Sequence, residues 1–221
     1  MVYSAVILDI EGTVCPIAFV KDTLFPYFLR KVPTLVTSQD PVVRSLLGQF
    51  GTEQVENHIR KLVDRDVKDP ILKQLQGYVW EEGYKSGEIR APVYNDAVKF
   101  IQDVQVPIYI YSSGSVKAQK LLFAHVDTGK AQPEELCSKL SGFFDITTSG
   151  RKTDKQSYLN IISEINRKAE TVLFVSDNVL ELEAATKAGL RTMLAVRPGN
   201  APIPKDTHFV EVRDFEQIKG F

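Results

Sequence analysis

The chain has 221 residues, 43% of them hydrophobic and 25% charged, with a formal net charge of −1. That length can bury a sizeable core, as one large domain or as a core with a smaller insertion, without covalent staples. The near-zero charge excludes a broad basic field for nucleic acid or an anionic membrane, so any bound anion must be held by a local site.

From the N-terminus, residues 3–8 form an apolar run that stops at Asp9. The run is too short to span a membrane and has no basic flank of the signal-peptide kind. A cytosolic protein is therefore expected, with nuclear residence an open alternative. Cys15 and Cys137 have no CxxC spacing and read as free thiols. His58, His125 and His208 are too scattered for a zinc site. Residues 15–90 carry helical spacing at 19–31, 41–50, 52–66 and 70–85 with no strand among them, and Pro26 predicts a bend or break in the first stretch. This region reads as a helical insertion, residues 15–90, within a core made of residues 1–14 and 91–221.

Gly87 and Pro92 mark the return to the core. Helical patterns then alternate with short apolar runs. The helices are expected at 95–102, 116–124, 155–167 and 180–188, and the strands at 108–111, 143–146, 171–175, 191–196 and 209–212. Strand–helix alternation with continuous rather than alternating apolarity predicts an α/β fold with a doubly wound parallel sheet. Residues 197–205, with three prolines, read as an ordered rim loop.

Ligands of such sheets bind at the carboxyl ends of the strands, which nominates Asp9, Ser112 and Asp177. In Asp9-Ile10-Glu11-Gly12-Thr13, two carboxylates follow a strand and Gly12 permits a turn. Asp9 can attack phosphorus to give an aspartyl-phosphate. Glu11 can protonate the leaving oxygen and then activate water. In isolation the pair is equally compatible with an acidic capping loop. A phosphate beside carboxylates needs cations, and magnesium, held by one or two carboxylates, suits Asp9 and Asp177. Glu181, one helical turn on, either binds that metal through water or simply occupies the first turn of its helix. Lys152, in Gly150-Arg151-Lys152-Thr153, is the chosen phosphate-binding cation, with Lys155 its competitor. Ser112-Ser113-Gly114-Ser115 opens a helix, where hydroxyls and backbone N–H groups either bind phosphate or merely cap.

In this order the segments DIEGT, YIYSSGS, GRKT and FVSDN resemble the haloacid dehalogenase superfamily, with Glu11 at the second acidic position of its DxDx[TV] signature. DIEGT together with SSGSVKAQKLLF and DPILKQLQGYVWEEGY is similar to the enolase-phosphatases within it, and the likeness runs from Leu8 to Pro198. The resemblance implies a Rossmann-like core with a helical cap, one Mg²⁺ per subunit, and dephosphorylation of 2,3-diketo-5-methylthiopentyl-1-phosphate after its enolisation, giving the acireductone of methionine salvage. It implies Asp9 as nucleophile and metal ligand, Glu11 as acid/base with its backbone carbonyl on the metal, and Ser112 and Ser113 on the substrate. It further implies Lys152 on the phosphate and Asp177 on Mg²⁺, and leaves Asp9 and Glu11 both open as enolisation base. Asn178 departs from the second acid that many superfamily members carry there. Tyr78, Trp80 and Tyr84 are candidates for the methylthio end of a substrate pocket, with helix packing the preferred role. The rival reading is a phosphatase of the same superfamily acting on another small phosphate ester. A monomer is expected.

Overall fold

The structure, a computed structural model, describes every residue except Met1, Asp66 and Lys68. The chain runs β1 (Ala5–Leu8), a π-helical turn (Val20–Leu24), α1 (Phe25–Val36), α2 (Pro41–Gly48), α3 (Val55–Asp64), α4 (Pro70–Ser86), α5 (Asn95–Asp103), β2 (Ile108–Tyr111), α6 (Val116–Ala124), β3 (Gly142–Phe144), α7 (Lys155–Ile165), β4 (Val172–Ser176), α8 (Val179–Lys187), β5 (Arg191–Ala195) and β6 (Val210–Val212). These elements divide into two compact units, Met1–Ala18 with Arg90–Phe221, and Phe19–Ile89.

The first unit is built on a six-stranded sheet of order β3-β2-β1-β4-β5-β6, with every neighbouring pair parallel. All residues of β1 and β4 are buried, the mark of strands covered on both faces. Tyr111, Tyr158, Phe174 and Leu182 join Ile7 in the core between the sheet and its helices. After β1 the chain winds outward through β2 and β3, then returns to the opposite side of β1 as β4. The reversal places a crevice beyond the carboxyl ends of β1 and β4.

The second unit is helical. Asp40 and Asp69 cap α2 and α4, each accepting two backbone N–H groups, with proline in the first turn where its missing donor costs nothing. Two details differ from the sequence reading. Pro26 does not break a helix: it lies in the first turn of α1, after the π-helical turn, and the proline inside α1 is Pro33. The stretch read as 52–66 becomes α3 from Val55 only, and its predicted end, Asp66, lies outside the described residues. Among the described residues no helix is long and apolar enough to cross a membrane, and Cys15 and Cys137 are both free.

In the first unit β3 stops at Phe144 because the Asp145 carboxylate takes the N–H groups of Thr147 and Thr148 at 2.8 and 2.9 Å, turning the chain out of the sheet. β4 runs one residue further than its apolar run suggests and includes Ser176.

Candidate active site

The Asp9 loop is fixed by its own backbone. The Asp9 N–H donates to the Val175 carbonyl at 3.0 Å, extending the β1–β4 ladder past the strand, and the Ile10 N–H donates to Asp9 Oδ1 at 2.8 Å. The Ile10 carbonyl then accepts from Thr13, Val14 and Cys15 at 3.2, 3.0 and 3.0 Å. Gly12 sits at φ +73°, and a Cβ there would stand 2.3 Å from Asp177 Oδ2. Only glycine lets the loop take this turn and approach the Asp177 carboxyl so closely.

Lys152 comes to this point from a different part of the chain. Its ammonium lies 2.5 Å from Asp9 Oδ1 and 2.7 Å from Glu181 Oε2, and all three side chains are almost wholly buried. Its segment is held by backbone acceptors: Tyr158 Oη donates to the Lys152 carbonyl, Ser157 Oγ to Arg151 and Tyr111 Oη to Gly150, each at 2.7 Å. Ser176 Oγ lies 2.9 Å from Glu181 Oε2 and 3.2 Å from Asp9 Oδ2. With one proton it serves one carboxylate at a time.

The charges are unbalanced. Burial works against the Lys152 ammonium, but the Asp9 and Glu181 charges outweigh it and hold the amine protonated. Burial, followed by the Asp9 charge, raises the Glu181 pKa. Burial, then Asp9 and Glu181, push Asp177 from an ordinary 3.8 up to about 7. Three carboxylates thus face one ammonium. Among the described residues no three His, Cys, Asp or Glu side chains form a ready-made metal cage. An all-oxygen, anion-rich donor set short of positive charge nevertheless fits a hard divalent cation, which commonly binds through one or two carboxylates and keeps several waters.

Ser112 follows β2 and is buried; its hydroxyl accepts from the Gly114 N–H at 3.2 Å. The turn is braced from beneath, where Gln119 Nε2 donates to the carbonyls of Gly114 and Phe144 at 2.8 and 2.9 Å. Ser113 is exposed on the same turn, and Ser115 caps α6.

Among the residues nominated from sequence, Asp9 and Lys152 are in direct contact, with Asp177 against their loop at Gly12. Lys155 is exposed at the start of α7, whereas Lys152 is buried. Glu11 is partly exposed, pairs through its backbone with Cys15, and its charge adds to the burial that raises the Cys15 thiol. Glu181, read as a water-mediated metal ligand or a plain first-turn residue, does lie in the first turn of α8, and it also forms an ion pair with Lys152 that the sequence did not suggest. Tyr78 Oη bonds Asp40 Oδ2 at 3.1 Å, Trp80 Nε1 bonds the Leu24 carbonyl at 3.0 Å and Tyr84 is buried, so all three serve the packing of the helical unit. Sequence reasoning passed over Ser176, Arg197 and Asn200. Ser176 stood just past an apolar run, beside the more conspicuous Asp177, and the other two lay in a proline-rich loop with no motif of their own.

A family model described as haloacid dehalogenase-like hydrolase matches residues 3–189. The protein named Enolase-phosphatase E1 from Lachancea thermotolerans is 56% identical over 218 residues, 99% of this chain and 100% of that protein. Its namesake from Saccharomyces cerevisiae S288c is 55% identical over 224 residues, 98% of each chain. Among solved structures, the S. cerevisiae UTR4 protein is similar with a TM-score of 0.91 at 55% identity, covering 98% of this chain and 100% of that one. YfnB of Bacillus subtilis, in a magnesium-bound crystal form, has a TM-score of 0.63 at 18% identity over 98% of this chain and 96% of its own, which shows a shared fold.

Proposed function

Because this chain belongs to the enolase-phosphatases of the haloacid dehalogenase-like hydrolases, we propose that it converts 2,3-diketo-5-methylthiopentyl-1-phosphate to the acireductone of methionine salvage plus phosphate. The observation that carries the reading is the Lys152 ammonium bridging Asp9 and Glu181 at the carboxyl edge of the central strands. A buried cation placed on a strand-end aspartate is what an attacking carboxylate and an incoming phosphate dianion both require.

Asp9 attacks phosphorus through a carboxylate oxygen, and the bond from phosphorus to the substrate oxygen breaks. Glu11 gives that oxygen its proton, becomes a carboxylate, and then takes a proton from the water that attacks the aspartyl-phosphate. Phosphate leaves and Asp9 is regenerated. Lys152 neutralises charge on the phosphoryl oxygens while keeping Asp9 oriented. Ser112 and Ser113, on the turn braced by Gln119, hold the substrate. For enolisation one base, Asp9 or Glu11, takes the proton from the carbon that bears the phosphate ester; the C–H electron pair becomes the C=C bond, and the neighbouring carbonyl oxygen takes up a proton as the enol.

Asp9, Asp177 and the Glu11 backbone carbonyl are the groups assigned to hold Mg²⁺, one ion per subunit. When bound, the ion supplies positive charge to phosphoryl and carbonyl oxygens. The helical unit Phe19–Ile89, inserted in sequence after β1, is assigned the role of the specificity-setting cap, and the sheet unit that of the catalytic core.

A panel of phosphate esters including the diketone phosphate, assayed with and without Mg²⁺ for phosphate release and enediol absorbance, tests the reading. The expected result is Mg²⁺-dependent turnover favouring the diketone, with Asp9→Asn inactive. Equal rates across the panel would remove the substrate assignment, and Mg²⁺-dependent turnover by Asp9→Asn would remove the nucleophile.

A further inference from the structure

The loop after β5 reaches the Asp9 loop at two successive carbonyls. Arg197 Nε donates to the Thr13 carbonyl at 3.0 Å, and Asn200 Nδ2 donates to the Gly12 carbonyl at 2.9 Å and to the Ala195 carbonyl at 3.2 Å. The two are themselves tied, the Asn200 N–H donating to the Arg197 carbonyl at 3.2 Å. Arg197 is anchored heavily for a residue in a rim loop. Its side chain is 6% exposed, and its guanidinium pairs with Asp96 Oδ2 at 2.6 Å, donates to the Arg213 carbonyl at 2.9 Å, and lies 4.5 and 5.0 Å from the ring centres of Tyr94 and Phe215.

Asn200 also packs over Gly12 itself. Its Nδ2 is committed to two carbonyls, which fixes the amide orientation and turns Oδ1 the other way. Oδ1 is buried and lacks a hydrogen-bond partner among the described residues. It lies 2.9 Å from the point where a Cβ on Gly12 would stand, and Asp177 Oδ2 is 2.3 Å from the same point. One side chain therefore holds the Gly12 carbonyl and shares with the Asp177 carboxyl the space over Gly12.

We propose that Asn200, anchored through Arg197, is a positioning residue that fixes the Gly12 carbonyl and so the placement of Asp9 against Asp177. The assignment rests on the phosphatase reading of this site. Attack geometry is sensitive to displacements of about 1 Å, so Asn200→Ala lowers kcat about 10- to 100-fold, leaves KM within a few-fold, and weakens Mg²⁺ affinity measured calorimetrically without substrate. Asn200→Asp keeps the shape but points an acceptor at two carbonyls. It is therefore at least as damaging as Asn200→Ala, whereas a purely space-filling role makes it the milder change.

The assay uses both the diketone phosphate and p-nitrophenyl phosphate. Wild-type turnover of neither ester with Mg²⁺ present strikes the phosphatase reading itself. Turnover of the second alone strikes only the substrate, and the Asn200 effect is then read on that ester. Folded Asn200→Ala with kcat within twofold of wild type and unchanged Mg²⁺ affinity overturns the proposal, as does Asn200→Asp outperforming Asn200→Ala. If the alanine variant fails to fold, wild-type kcat in the aspartate variant does the same.

Discussion

The two units spend their charged residues in opposite ways. In the helical unit, ion pairs such as Lys85–Glu81 and Arg60–Glu56 lie on the surface one helical turn apart, and the buried residues are nearly all apolar. In the sheet unit, Asp9, Lys152, Glu181 and Ser176 are buried together at the carboxyl ends of the central strands. Surface pairs cost little and contribute little, because water screens both partners. Buried charges are expensive to desolvate, and a fold keeps them where their strong mutual influence is put to use. The contrast sets the carboxyl ends of the central strands apart as the place where charge is buried at a cost to stability.

The sharpest way to break the comparison is to remove the buried cation. Lys152→Met leaves Asp9 and Glu181 facing each other without a counter-charge, which is expected to cost about 3–5 kcal/mol of stability at neutral pH. Urea unfolding measures it, and a loss below about 1 kcal/mol would mean the cluster behaves like a surface pair. Gly12→Ala comes next. Its methyl would meet Asp177 Oδ2 at 2.3 Å on a backbone at φ +73°, so turnover is expected to fall about 100-fold with far-UV circular dichroism preserved; near-wild-type kcat would show that the Asp177 carboxyl has room to move.

A smaller effect follows from Asp177, whose pKa is raised to about 7 by burial and by the Asp9 and Glu181 charges. Below about 4 the folded and unfolded states both carry the proton. Between there and about 7 the folded state keeps a proton that the unfolded state has lost, so stability declines as pH rises through that window. The melting temperature of metal-free protein should therefore fall from pH 5 to pH 8, and less so in Asp177→Asn; an equal slope in the variant assigns the effect elsewhere. Glu181, raised for related reasons, acts in the same direction. The smallest effect belongs to the helical unit, where Glu81→Gln removes an exposed pair with Lys85 and should shift the melting temperature by no more than about 2 °C.

Much of the sheet was legible because its strands are continuous apolar runs. The runs at 108–111 and 191–196 place β2 and β5 to within a residue, and the residues just past β1, β2 and β4 are those the strand-end rule nominates. Lys152 was legible by residue type, but that it, and not Lys155, is buried against Asp9 depends on how α7 lies on the sheet. Pro26 was misjudged because proline reads as a breaker until its position in the helix is known, and in a first turn it is harmless.

The sequence by itself determined the parallel sheet, the helical insertion and the kinds of chemical group waiting at the strand ends, because hydrophobic period and residue type are local properties. Only the tertiary structure decided which groups meet. Lys152 finds Asp9 across 143 positions, Ser176 finds it across 167, and Asn200 finds the Gly12 carbonyl across 188. The last of these was least legible of all, since its acceptor is a backbone carbonyl that every residue possesses and no sequence distinguishes.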